Sequence, residues 1–136
     1  MTAALALQSS IRARLVSTAG VIALVPADAI LDRNARPSPS PSIIFGEAQL
    51  VDEGGSISRS IQRVYMDLHI WKKEGGLTGA KAIGGAIRHA LRERLDLGEG
   101  FHCIDLAVTS ERFLRDPDGE TAHGIVTVTS QIQEIQ

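Results

Sequence analysis

Arg112-Phe-Leu-Arg-Asp-Pro-Asp-Gly-Glu-Thr-Ala-His-Gly-Ile-Val-Thr-Val-Thr129 reads as a strand, a tight turn and a second strand. The turn is Asp116-Pro-Asp-Gly119. Proline presets its own φ, aspartate side chains bond the backbone two residues on, and glycine takes the positive φ that closes the bend. Upstream, Cys103 to Phe113 puts Ile104, Leu106 and Val108 on one face. Downstream, Val126, Val128 and Ile132 alternate with the outward Thr127, Thr129, Gln131 and Gln133, the period of a half-buried strand.

Further out, Ile61 to Trp71 is the clearest strand. Val64, Met66, Leu68 and Ile70 line one face, and Tyr65, Asp67, His69 and Trp71 the other. Ser42 to Glu47 is a shorter strand, followed by a loop over residues 48–59 that contains Gly54-Gly55. Loops of this length are often functional. Ala29 to Asp32 forms a brief strand. Residues 33–41 hold three of the five prolines and read as a connector.

Two helices complete the pattern. The first runs from a Thr2 cap to about Ser17, with Ala4, Leu7, Ile11 and Leu15 on one face. Thr18 to Val25 adds a short helical turn that Pro26 ends. Thr78 caps another helix, running to about Leu95 with Ala80, Ile83, Ile87 and Leu91 as its stripe. Gly84 and Gly85 inside it each cost about 1 kcal/mol relative to alanine. They therefore mark a close approach to the sheet or to a neighbouring subunit. The expected fold is α+β: a mainly antiparallel sheet of four to five strands with two helices packed on one face, in a single domain over residues 1–136.

Composition narrows the function. A net charge of −2 argues against a general nucleic-acid binder and a polybasic membrane anchor. The longest apolar run, Val21 to Val25, is far too short to span a bilayer. One cysteine, Cys103, excludes an internal disulfide and a multi-cysteine zinc site. Gly75-Gly-Leu-Thr-Gly-Ala-Lys81 lacks the glycine before lysine and the hydroxyl after it that a phosphate loop needs. Asp116-Pro-Asp-Gly119 lacks a third calcium ligand before its glycine and a glutamate six residues after it. No catalytic residue, metal ligand or cofactor site is expected.

What remains are surfaces. Arginines outnumber lysines eleven to three, and arginine favours bidentate pairing in interfaces. Arg112 and Arg115 flank a turn with Asp116 and Asp118, and Arg59 and Arg63 follow Asp52 and Glu53. Either these are ordinary solvated charges or they bridge between subunits. Tyr65, His69 and Trp71 share the non-core face of the central strand, and aromatic side chains are common interface anchors.

Together these motifs resemble the phage tail-completion family, also called tail terminators or head–tail joining proteins. The resemblance rests on the opening helix with Leu7-Gln8 and Ile11, on Ile43-Ile44-Phe45-Gly46-Glu47, and on the strand Val64 to Trp71, where Lys72 replaces a small polar residue. The helix Gly76 to Leu91 continues it. The most particular part is Arg112-x-x-Arg115-Asp116-x-Asp118-Gly119 followed by His123-Gly124. The sequence style is also similar to that of gene transfer agents. The resemblance implies a non-enzymatic subunit of a ring, commonly a hexamer. Such a ring caps the tail tube, ends its polymerisation and joins the tail to the head connector. Its implied partners are itself, the tail-tube protein and the head-connector or neck protein, with a lumen that lets DNA pass without specific binding and no membrane. Its implied location is the tail–head junction of a virion or gene-transfer-agent particle, reached from the host cytoplasm during assembly. The alternatives are a neck, head-closure or tail-tube protein of the same particle and, more remotely, a small enzyme.

Overall fold

Asp116, Asp118 and Gly119 build the turn that the sequence announces. Gly119 sits at φ 74° and donates its N–H to the Asp116 carbonyl at 3.0 Å. The Asp118 carboxylate accepts from Glu120 N, Thr121 N and Thr121 Oγ1 at 2.8, 2.9 and 2.7 Å. Asp116 Oδ2 accepts from Asp118 N at 3.3 Å. Every aspartate oxygen named here satisfies a turn donor, so the turn needs no metal to hold its shape.

The computed structural model describes residues 1–32, 40–54 and 57–135. Its elements are α1 (Ala3–Val16), α2 (Ala19–Ile22), a 3-10 turn (Ala27–Ala29), β1 (Ile30–Leu31), β2 (Ser42–Asp52), β3 (Ile61–Lys73), α3 (Thr78–Ala90), β4 (Phe101–Arg115) and β5 (Thr121–Glu134). The five strands form one sheet in the order β1-β2-β3-β5-β4. Only the short β1–β2 pair is parallel; the other pairs are antiparallel. The α+β expectation holds, with α1 and α3 as the two main helices. Most of the proline-rich connector, residues 33–39, lies outside the described residues, as do residues 55–56 of the expected loop.

One face of the sheet and one stripe of each helix share a core. Leu7, Ile11 and Leu15 from α1 and Ile83 and Ile87 from α3 pack with Val64, Met66, Leu68 and Ile70 of β3 and Val126, Val128 and Ile132 of β5. Thr2 Oγ1 caps α1 by accepting from Leu5 N. Cys103 is buried in this core, its thiol 3.6 Å from Ser130 Oγ.

Several expectations need correction. Strand β2 does not stop at Glu47: it runs to Asp52, so residues 48–52 of the expected loop are strand. A bulge at Gly46-Glu47 breaks the register between Phe45 and Ala48, and beyond it both faces are exposed, so no alternation marks the continuation. Strand β3 continues beyond Trp71 through Lys72 and Lys73. Thr78 does not cap α3. The Glu74 carboxylate does, accepting from Gly79 N and Ala80 N at 2.8 and 2.9 Å. The helix ends at Ala90, not near Leu95. There the Arg14 guanidinium takes the carbonyls of Ala90 (2.9 Å), Glu93 (3.4 Å) and Arg94 (3.2 Å), a cation at the negative end of the helix dipole. Ile104 is the extra residue of a β4 bulge, which leaves Cys103 and Leu106 facing the core instead. Gly84 makes the expected close approach to the sheet, since a Cβ there would lie 2.7 Å from the Phe113 ring of β4, whereas Gly85 meets open space.

Candidate functional site

The helices leave the second face of the sheet bare, and the sequence places its aromatics there. Trp71 and His123 are directly opposed across β3 and β5. Their rings stack with centroids 3.8 Å apart and planes 9° from parallel. His69 joins them, with Nδ1 2.8 Å from His123 Nε2 and a ring 5.0 Å from the His123 ring. Gly46 on β2 makes room for His69: a Cβ at position 46 would lie 2.6 Å from the imidazole. The three rings thus form a flat, polar-edged plate across the middle of the sheet. Tyr65 stands farther along β3 and is 39% exposed. Thr127 donates to Asp67 Oδ1 at 2.7 Å, and the Thr109 and Thr129 hydroxyls meet at 2.8 Å.

The charged candidates divide into two sets. Asp52, Glu53, Arg59 and Arg63 come together within the subunit, at the far end of the β2–β3 pair. Arg59 Nη1 meets Asp52 Oδ2 and Arg63 Nε meets Glu53 Oε1, each at 2.5 Å. The hydrogen bond from Arg59, with a second from the Gly54 backbone, holds the Asp52 carboxyl below its ordinary value. Arg112 and Arg115 are exposed on β4, and among the described residues neither makes an ion pair. The Asp116 and Asp118 carboxylates bond the turn, as described above. The structure therefore does not bring Arg112 and Arg115 into one site with the Asp52–Arg63 set.

Three features escape a reading of the sequence. The β2–β3 end forms a wing whose apolar side chains are open: Leu50 and Val51 at 40% and Ile57 at 105%. At the opposite edge of the sheet, α3 and β4 enclose a groove of about 220 Å³ lined by Arg88, Leu91, Arg92, Leu106, Ala107 and Val108. His123 enters the ring plate only through its register with Trp71, which is fixed by pairing between strands fifty residues apart in the chain. The signal was present, since His123 sits in the alternation that orients β5, but nothing in the sequence says what lies opposite it. Among the described residues no group of three histidine, cysteine or carboxylate side chains is placed to hold a metal ion. No described helix is long and apolar enough to cross a membrane.

Among the described residues this surface carries stacked rings and charged side chains and no cluster of convergent catalytic groups. The profile of the tail completion protein gp17 family matches residues 9–133. The chain belongs to that family.

This tail completion protein is accordingly a structural component of a tailed particle, not an enzyme. The tail completion protein gp17 of Bacillus phage SPP1 is 28% identical to it over 101 residues, covering 73% of this chain and 72% of that one. The fold is similar to a chain from the virion of a native gene transfer agent particle, with a TM-score of 0.83 and 20% identity over 96% of both chains. It is also similar to the structure of bacteriophage SPP1 gp17, with a TM-score of 0.61 and 23% identity over 98% of this chain and 91% of that one.

Proposed function

We propose that this protein forms a closed ring at the end of the tail tube of a phage or gene-transfer-agent particle, stops tube growth there and joins the tail to the head connector. The observation that carries this reading is the family match, which runs nearly end to end along the chain. The likeness to a chain of a gene transfer agent virion supports the particle-borne setting. The fold suits a ring subunit because its two sides differ. A closed ring joins one side of a subunit to a different side of its neighbour. Here the β2–β3 wing lies toward one edge of the sheet and the α3–β4 groove at the other.

The bare sheet face with Tyr65, His69 and Trp71 contacts neighbouring proteins of the particle; Arg112 extends that surface onto β4, and Arg115 offers a contact on the opposite face. Two measurements test the proposal. Native mass of the concentrated protein is expected near about six subunits, the closed cyclic assembly. A strict monomer that also fails to enter purified tails would overturn the ring. Trp71→Ala is expected to keep the fold by circular dichroism and to lower assembly by sedimentation. An unchanged sedimentation profile would remove the aromatic plate from the contact surface.

A further inference from the structure

The wing and the groove are the two most unequal features of the surface, and the strand register relates them. Leu50 pairs with Val64, Val64 with Ser130, and Ser130 with Leu106. Ala48 reaches Val108 by the same route, through Met66 and Val128. The wing at one edge and the groove at the other therefore lie at the same level along the strands. Leu50 and Leu106 also point to the same face of the sheet, the face that α3 covers. A ring that closes without a rise needs its two unlike contact patches at one level.

Their chemistry is complementary too. The groove has an apolar floor in Leu91, Leu106 and Val108 and two exposed cations at its rim. Arg88 has only a 3.4 Å contact with Glu111, and Arg92 makes no ion pair among the described residues. The wing offers exposed Leu50 and Val51 and an acid, Glu47, that is also exposed and without an ion pair among the described residues. Its outer edge is open among the described residues, because β1 covers only Ile43 and Ile44. The Gly46-Glu47 bulge disturbs that edge, which discourages indiscriminate strand pairing and leaves side-chain docking as the mode of contact.

We infer that the subunit junction is formed by the Leu50–Val51 wing of one copy seated in the Arg88–Arg92 groove of the next. Leu50 fills the apolar floor, and Glu47 faces the rim arginines. The charges fix the orientation of the contact, and Leu50 against the apolar floor supplies the buried area. This inference rests on the ring reading given above and specifies its joint.

Cross-linking between copies tests it. Leu50→Cys protein and Val108→Cys protein, mixed and treated with a short bifunctional thiol reagent, are expected to give a covalent dimer that neither variant gives alone. The native Cys103 is buried and does not compete. Rings present by native mass without the mixed cross-link would overturn the joint and leave the ring standing. Absence of rings, both free and on tails, would overturn the ring reading and the joint with it. A charge exchange is the second measurement. Arg92→Glu is expected to weaken assembly at least roughly tenfold, since a like charge then faces Glu47. Adding Glu47→Arg to the same chain is expected to restore it. Unchanged assembly in Arg92→Glu, or no recovery in the double variant, would overturn the contact as drawn.

Discussion

The two halves of β2 are continuous in chain and opposite in environment. Ser42–Phe45 are all buried, whereas every residue from Gly46 to Asp52 is exposed. Both halves pair with β3 and both carry apolar side chains. What separates them is cover: the helical layer packs over Ile43 and Phe45 on one face, Ser42 and Ile44 lie beside Trp71 and His69 on the other, and the second half is exposed on both faces. The first half holds the free subunit together. The second buries little in the subunit alone and leaves its apolar side chains open to solvent. Apolar residues exposed together on a protein of this kind mark an interaction surface more often than a folding error.

The sharpest way to break this comparison is to truncate both halves. Ile43→Ala removes a fully buried side chain and is expected to cost about 2–5 kcal/mol in chemical denaturation. A loss below about 1 kcal/mol would mean that the covered half is not what anchors β2. At the other side of the sheet, Asp118→Ala strips three hydrogen bonds from the β4–β5 turn and is expected to cost about 1–2 kcal/mol. Leu50→Ser, in the bare half, is expected to change subunit stability by less than about 0.5 kcal/mol while reducing assembly. Equal losses for Ile43→Ala and Leu50→Ser in the monomer would erase the distinction.

The smallest effect expected is a pH dependence at the wing. The folded state holds the Asp52 carboxyl below its ordinary value, chiefly through the Arg59 hydrogen bond. A group of this kind stabilises the fold above its unfolded pKa, and the contribution disappears as pH falls through the lower, folded value. The wild-type protein should therefore lose slightly more stability than Asp52→Asn over the acid end of a denaturation series. Parallel curves for the two would remove the Arg59 pairing from the account of the wing. The shift is fully exposed to solvent and salt, so the effect should shrink at high ionic strength.

The same contrast explains what the sequence made legible. Strands β3 and β5 and the first half of β2 announce themselves, because one of their faces is buried and hydrophobic side chains must recur every second residue. The second half of β2 has no buried face, so Gly46-Glu-Ala-Gln-Leu-Val-Asp52 carries no such period, and it reads as a loop. The cap of α3 was hidden for a different reason. Thr78 has the right chemistry in the right place, but Glu74 reaches forward from the start of the preceding loop and takes the N–H groups first. The bulge at Ile104 left no trace in the alternation of β4 beyond a residue that ends on the wrong face.

Of the candidate surface, Tyr65, His69 and Trp71 could be placed on one face from their spacing alone. The pairing of Arg59 with Asp52 and of Arg63 with Glu53 was foreshadowed by closeness in the chain, but not that it forms inside one subunit. Arg88 and Arg92 gave no hint of a groove, because a groove is made by two elements and neither announces the other. The general point is physical. Sequence reports what one element does with its own faces; joints between elements depend on register and docking.

One bond set has a consequence for the order of folding. Arg14 reaches across 76 to 80 residues to hold the end of α3. Closing so large a span carries a substantial entropic cost, so contacts of this kind form late, after the local β4–β5 hairpin. A contact absent from the folding transition state slows unfolding without hastening folding. On this argument Arg14 would act as a latch on the folded subunit, and Arg14→Ala is expected to show faster unfolding at a nearly unchanged refolding rate.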